Sequence, residues 1–196
     1  QNVRNDFDRY MNRMSINRQV SLSISGGSDN QRYFASAGYD YNMLNSRGND
    51  YGRLTLNAKN TWSLFRNKLE LSTGIYFAQN NNTLNNPGIP SIRMSNAAEL
   101  YPYARLADDS GKPLAIIHDY RRAFLQSAEQ QGLLNWEYKP LEEMKTANNM
   151  LKMTDYRVNG ALRYKIITGL SADVLYQYGG GLLDGRNLQS QESYYT

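Results

Sequence analysis

Cysteine is absent from these 196 residues, and histidine occurs once, at His118. The first absence removes disulfide frameworks, thiol nucleophiles and cysteine-ligated zinc. The second leaves no histidine pair for a metal centre and only one candidate base for a nucleophile. Charge of one sign is not in large excess: 22 basic residues face 18 acidic ones, for a net of +4. Arg121-Arg122 is the longest basic run, so the clustered basic face that a phosphate backbone needs is missing and no nucleic-acid partner is expected. No run approaches the ~18 consecutive apolar residues of a membrane-crossing helix. Gln1 leads directly into charged sequence without a leader-like stretch, which reads as a mature chain or an internal segment.

Mean hydropathy is −0.69, a value usual for water-soluble chains. It does not exclude a membrane barrel, in which only alternate residues meet lipid. Tyrosine is abundant, at 16 residues against two tryptophans and five phenylalanines. A tyrosine ring is apolar with a polar tip, which suits boundaries between wet and dry surroundings.

Period-two alternation is the main signal. Val20, Leu22 and Ile24 alternate with serines. Tyr33, Ala35, Ala37, Tyr39 and Tyr41 share one face, opposed by Phe34, Ser36, Gly38, Asp40 and Asn42. Leu54, Leu56, Ala58 and Trp62 oppose Thr55, Asn57 and Lys59. Leu69, Leu71, Thr73, Ile75 and Phe77 oppose Glu70, Ser72, Gly74 and Tyr76. After a long interruption, Tyr156, Val158, Gly160, Leu162 and Tyr164 oppose Arg157, Asn159, Ala161 and Arg163. Finally, Leu170, Ala172, Val174, Tyr176 and Tyr178 oppose Ser171, Asp173 and Gln177.

Six strands are expected, near residues 19–25, 32–43, 52–62, 68–79, 154–165 and 169–179. Their typical length matches the ~9–11 residues of a tilted strand crossing a bilayer. The polar face carries Asp40, Lys59, Glu70, Arg157, Arg163 and Asp173, so it is wet along its length. The apolar face is expected to place Tyr33, Tyr39, Tyr41, Trp62, Phe77, Tyr164 and Tyr178 towards the strand ends, as an aromatic girdle. Connections alternate short and long, as in outer-membrane barrels with short periplasmic turns and longer external loops. That puts residues 26–31, 63–67 and 166–168 on the periplasmic side. A soluble β-sandwich would also alternate, and stays open at this point.

The segment 80–153 is too long for an unstructured loop. A helix is expected from Asp119 as N-cap through Gln131, stopped by Gly132, and a second from about Leu141 to Leu151 with Pro140 at its start. Asp108-Asp109-Ser110-Gly111 starts like a calcium loop but lacks the further ligands and the closing Glu, so it reads as a turn. Ser25–Ser28 is glycine-rich, but no helix bearing Lys-Ser/Thr follows it, which rejects a phosphate loop.

Several strings resemble the SusC/RagA family of TonB-linked outer-membrane proteins. VSLSISGGSDNQRYFASAGYDY (20–41) is similar to the family's strand–turn–strand with a Gly-Gly-Ser-Asp turn. AELYPYARLADDSGKPLAIIHDYR (98–121, continuing into Arg122) resembles its loop pattern of Pro-Tyr, Leu-Ala-Asp and Gly-x-Pro-Leu. LLNWEYKPLEEM (133–144) is similar to its Leu-Leu-x-Trp string, and TDYRVNGALRYKIITGLSADVLYQY (154–178) to the hairpin that follows. The matches occur in the family's order and cover nearly everything from Gln19 onward.

The resemblance implies an all-β fold: a partial transmembrane antiparallel β-barrel, about six strands of a larger TonB-dependent transporter barrel. Its long extracellular loop would form a subdomain with one or two short helices. The expected layout is an extracellular lead-in at 1–18, barrel strands 1–4 at 19–79, the long extracellular loop at 80–153, strands 5–6 at 154–179 and an extracellular loop at 180–196. Family members form 22-stranded barrels occluded by a plug, capped by a SusD-type surface lipoprotein, and opened through TonB. The implied function is import of oligosaccharides or peptides across the outer membrane of a Gram-negative bacterium. Implied partners are the lipoprotein, TonB, membrane lipid and the substrate. No cofactor, metal or enzymatic activity is implied. No string here matches a plug or a TonB-contacting segment, and six strands alone leave open edges that lipid forbids. The sequence is therefore expected to be one piece of a larger barrel.

Under this reading Tyr101, Tyr103, Trp136 and Tyr138 are candidates for contacting substrate or the lipoprotein lid. Their bland role would be packing the loop's own core. Asp40, Lys59, Glu70, Arg157, Arg163 and Asp173 are lumen-facing candidates, or simply a wet channel lining. The competing functions are a soluble carbohydrate- or protein-binding β-module, with Val20, Leu22, Ile24, Tyr39 and Leu56 buried between two sheets, and an enzyme barrel. The enzyme barrel is weakest, because His118 lies in a loop.

Overall fold

A computed structural model describes residues 2–94 and 98–195. The elements run α1 (Val3–Asp6), a π-helical turn (Phe7–Met11), β1 (Ile16–Ser28), β2 (Gln31–Met43), β3 (Asn49–Leu64), β4 (Leu69–Leu84), α2 (Arg122–Gln130), α3 (Pro140–Thr146), β5 (Asn148–Ile167) and β6 (Leu170–Leu188). All six strands pair with their sequence neighbours, antiparallel, in the order β1-β2-β3-β4-β5-β6. The fold is all-β: a single meander that forms part of a barrel wall.

The strands are longer than the alternation suggests, chiefly at one end. β4 continues through Asn80–Thr83, β5 starts at Asn148, and β6 runs on to Leu188 rather than ending near 179. Both faces are largely polar in the extension of β4, so no apolar period marks it as strand. Backbone pairing extends it all the same, because each added rung satisfies donors and acceptors of two chains.

Three hairpin turns lie at one end: Asp29-Asn30, Phe65–Lys68 and Thr168-Gly169. The β1–β2 turn needs Gly27, because a Cβ there would sit 2.4 Å from the Gln31 carbonyl oxygen. In the β3–β4 turn, Phe65, Arg66 and Asn67 all have positive φ, at 51°, 54° and 66°. The connections 44–48 and 85–147 lie at the other end, with the N-terminal segment.

The side chains of the sheet contribute almost nothing to a buried core; Thr61 and Ala78 are buried, while β1 is exposed along its whole length. The core sits instead at the loop end. Val3, Phe7 and Met11 of the N-terminal segment pack with Ile92, Ala104, Leu106, Ala107, Ile116, Tyr138 and Leu141 of the long connection, and Tyr194 of the tail joins them. This cap is stitched by buried polar groups. Asp6 accepts the Leu106 N–H at 2.9 Å. The Asn86 amide donates to the Met11 and Arg47 carbonyls, and Asn86 Oδ1 accepts the Gly88 N–H.

Both expected helices form, with shifted bounds. α2 begins at Arg122, not after Asp119. The Arg121 carbonyl accepts from Phe124 and Leu125 and so caps the helix, while the Asp119 carboxylate is taken by the Tyr194 hydroxyl at 2.7 Å. It stops at Gly132 (φ 80°), with the Leu133 N–H returning to the Ala128 carbonyl, a Schellman end. α3 ends at Thr146, because Asn148–Leu151 are recruited into β5 against β6. Asp108–Gly111 is a turn: the Asp108 carboxylate accepts the Ser110 hydroxyl and N–H and the Lys112 N–H.

Candidate functional site

Antiparallel register places cross-strand partners on one face of the sheet. The row Leu22, Ala37, Leu56, Phe77, Tyr156, Gly180 crosses all six strands, as does Ile24, Ala35, Ala58, Ile75, Val158, Tyr178. From the Val20–Tyr39–Leu54 row down to the Leu64–Leu69–Tyr164 row, this face carries no charged residue. It is nonetheless open. Val20 is 71% exposed, Leu22 77%, Ile24 61%, Tyr39 52% and Leu56 42%. No second sheet covers them among the described residues.

The aromatic girdle is less tidy than the sequence suggests. Tyr39 and Tyr41 lie near the loop-end edge of the apolar face, and Trp62 and Tyr164 near the turn end. Tyr33, Phe77 and Tyr178 fall in inner rows, because the strands run past their expected ends. Interior tyrosines lie across from glycines. A Cβ at Gly26 would come 2.5 Å from the Tyr33 hydroxyl, and one at Gly180 would come 2.7 Å from that of Tyr156. The rings fill the space that the glycines leave.

The opposite face is charged throughout. Asp40, Lys59, Glu70, Arg157, Arg163 and Asp173 all fall on it by register, and so do Arg32, Arg53, Asp155 and Lys165, which the sequence reading did not single out. Strand parity alone would have found these four. Arg163 and Asp173 pair across β5–β6 at 2.6 Å. Arg32 reaches Glu70 across two strands at 3.5 Å, and Arg157 bonds Asp155 at 3.1 Å and lies over the Tyr76 ring. Arg53 donates to the Tyr76 hydroxyl. Asp40 stands across from Arg53 in the register and adds its charge to that neighbourhood, while Lys59 lies in the row between Phe34 and Gly74. At the turn end this face holds a groove of about 430 Å³ lined by Arg32, Lys68, Glu70, Arg163 and Lys165.

At the loop end the four aromatic candidates separate. Tyr138 is 2% exposed and stacks on His118 with ring centroids 4.5 Å apart, so it packs the cap and offers no surface platform. Burial, with Tyr195 alongside, pushes its phenol well above the ordinary value; Tyr194 is raised as well, by burial and then by its bond to Asp119. Tyr103 is 79% exposed, and Tyr101 is at the surface too. Trp136, half-buried, stacks on Tyr120, which stacks on Phe124 of α2. The last two are exposed and do not figure among the candidates read from the sequence, where nothing beyond helical spacing marks them. The C-terminal tail closes over α3 through Glu143, which accepts the Ser193 hydroxyl and the Tyr194 N–H. A cleft of about 160 Å³ remains between α3, the start of β5 and this tail. Among the described residues, no group of three or more His, Cys, Asp or Glu side chains is placed to hold a metal ion.

The sheet, its open apolar face and its charged reverse define a class: part of the wall of a large antiparallel barrel. Comparison with solved structures agrees. The chain superimposes on a chain of the RagAB peptide importer, solved in its "closed-closed" state, with a TM-score of 0.66 and 16% identity. The match covers 93% of this chain and 20% of that one, so the sequence spans about a fifth of its structural relative. No protein-family model and no curated protein matches.

Proposed function

We propose that this chain is part of the wall of an outer-membrane, TonB-linked importer of the SusC/RagA type, which takes up oligosaccharides or peptides beneath a SusD-type surface lipoprotein. The observation that carries the proposal is the division of charge between the two faces of one sheet. On the apolar face of β5 the charge-free stretch runs from Thr154 to Tyr164, about 34 Å along the strand at ~3.4 Å per residue. At the ~35–45° tilt of outer-membrane barrels this gives a band about 25 Å tall, the height of their apolar belt. Exposed valine, leucine and isoleucine in such a band find a partner in hydrocarbon. A soluble sandwich would bury them between two sheets.

In this orientation the three hairpin turns face the periplasm and the cap faces outside. The charged reverse lines the lumen, with Asp40 and Lys59 available to substrate. The exposed aromatics of the cap, Tyr101, Tyr103, Tyr120 and Phe124, with the half-buried Trp136, form the surface offered to substrate or lid. The structural relative's description as a peptide importer supports a transport role.

The test is extraction from native membranes. The full polypeptide is expected to stay in the membrane fraction through high salt and alkaline washing and to leave only with detergent. Release by salt alone contradicts the proposal.

A further inference from the structure

The apolar face is not charge-free to its end. Two rows lie beyond the Val20–Tyr39–Leu54 row on the loop side. One is Arg18, Tyr41, Gly52, Asn81, Lys152, Asp184; the next is Ile16, Met43, Asp50, Thr83, Met150, Arg186. Every charged residue that the six strands place on this face sits in these two rows: Arg18, Lys152 and Arg186, with Asp50 and Asp184. Asp50 is already neutralised by Arg13, at 2.7 Å. Asp184 stands directly across from Lys152 in the register, yet no ion pair forms between them among the described residues. The cations therefore outnumber the free acid. Lys152 and Arg186 are diagonal neighbours on adjacent strands, about 7–8 Å apart at the backbone. Arg18 lies four strands away, about 19 Å at ~4.8 Å per strand.

We infer that this outward-facing row binds the phosphates of glycolipid headgroups in the leaflet that meets the loop end. The inference rests on the membrane placement proposed above. Charge and position both argue for it. An apolar belt that ends abruptly in unpaired cations matches a lipid whose chains end in anionic groups. Arg and Lys are the side chains that hold phosphate, Arg through two parallel bonds and Lys as a point charge. Asn81, Thr83 and the Tyr41 hydroxyl fall in the same rows and offer the hydrogen bonds that sugar hydroxyls accept and donate. The turn end provides the contrast: Lys68 and Lys165 line the groove on the reverse face, Arg66 lies in the β3–β4 turn outside the strands, and no strand places a cation on the belt there. The preference for a phosphorylated lipid is thus confined to one edge. Lys152 and Arg186 engage one headgroup, and the wide spacing leaves Arg18 for a second.

The test is made on the full polypeptide extracted from native membranes in mild detergent, with bound lipid identified by mass. Phosphorylated glycolipid is expected to co-purify with the parent. Retention should fall several-fold in Lys152→Glu/Arg186→Glu and, in the same direction, in the milder Lys152→Gln/Arg186→Gln. Lys112→Glu, a single charge reversal on the exposed cap, should leave it unchanged, whereas Lys152→Glu alone should already lower it. Added bisphosphorylated glycolipid should rebind to delipidated parent, whereas its dephosphorylated form should not, and inorganic phosphate should not compete. Equal retention in parent and row variants overturns the inference while leaving membrane residence intact, and so does retention of phospholipid alone. A polypeptide that is never found in the membrane overturns both readings.

Discussion

Asn86 ties three separate segments of the cap together. Its amide and carbonyl oxygen bridge the N-terminal segment, the 44–48 connection and the start of the long connection, and its backbone N–H is accepted by Asn49 at 2.8 Å. Truncation takes one of two donors from the Met11 carbonyl, which still accepts the Arg47 N–H, and removes the Asn86 bonds to the Arg47 carbonyl and the Gly88 N–H. Asn86→Ala is therefore expected to cost the cap about 1–3 kcal/mol, the loss of one partly buried hydrogen-bonding group, read as earlier proteolysis of the 85–147 segment. Tyr138 and Tyr194 give a pH dependence. Both phenols are raised above the ordinary value of about 10, so the folded cap favours their neutral forms. That stability is fully present below the ordinary value and is lost as pH rises past it, since only the unfolded phenols ionise freely. Alkaline titration should show two tyrosines ionising only with loss of cap structure, and one fewer in Tyr138→Phe. Two independent phenols titrating at the ordinary value would contradict the burial. The sequence left both a packing and a surface role open for Tyr138. Tyr138 sits in a Trp-Glu-Tyr string that fits a surface platform as well as a core, and only tertiary contact decides which.

At the scale of strands, alternation was enough to assign faces. The parity of Val20, Leu56, Ile75 and Val158 set one side, and every polar candidate fell on the other. Strand ends were not legible, because Asn80–Asn82 and Asn148-Asn149 look like loop by composition and are held in the sheet by pairing alone. The N-terminal turns over 3–11 escaped for a related reason: nine residues are too few to show a period, and their apolar side is fixed by the cap they complete. The two faces should answer a charge differently. Ile75→Lys, mid-belt, is expected to destabilise the membrane-inserted protein by about 2–4 kcal/mol. Asn57→Lys, one strand away on the reverse face, should change it little. Denaturant unfolding in lipid vesicles distinguishes them, and equal losses would mean that neither face meets hydrocarbon.

For the whole molecule, the sheet and cap divide the work of stability. The cap holds its own buried core, while the sheet's apolar surface is satisfied only by surroundings outside this chain. That asymmetry is what a barrel section in a bilayer requires and what a free-standing domain cannot sustain, since large exposed apolar areas drive association. The absence of cysteine makes the most direct test simple, because any introduced thiol is unique within this chain. Single cysteines at Leu22, Ile75, Val158 and Val174, and at Ser23, Asn57, Asn159 and Gln177, would each carry a nitroxide label on the full polypeptide in lipid vesicles. Collision with a lipid-dissolved relaxant and with a water-soluble one is then compared. The first four are expected to meet the lipid-phase agent and be shielded from the aqueous one, with the reverse order for the second four. Equal accessibility on both sides, or protection of Leu22, Ile75, Val158 and Val174 from both agents, would contradict it.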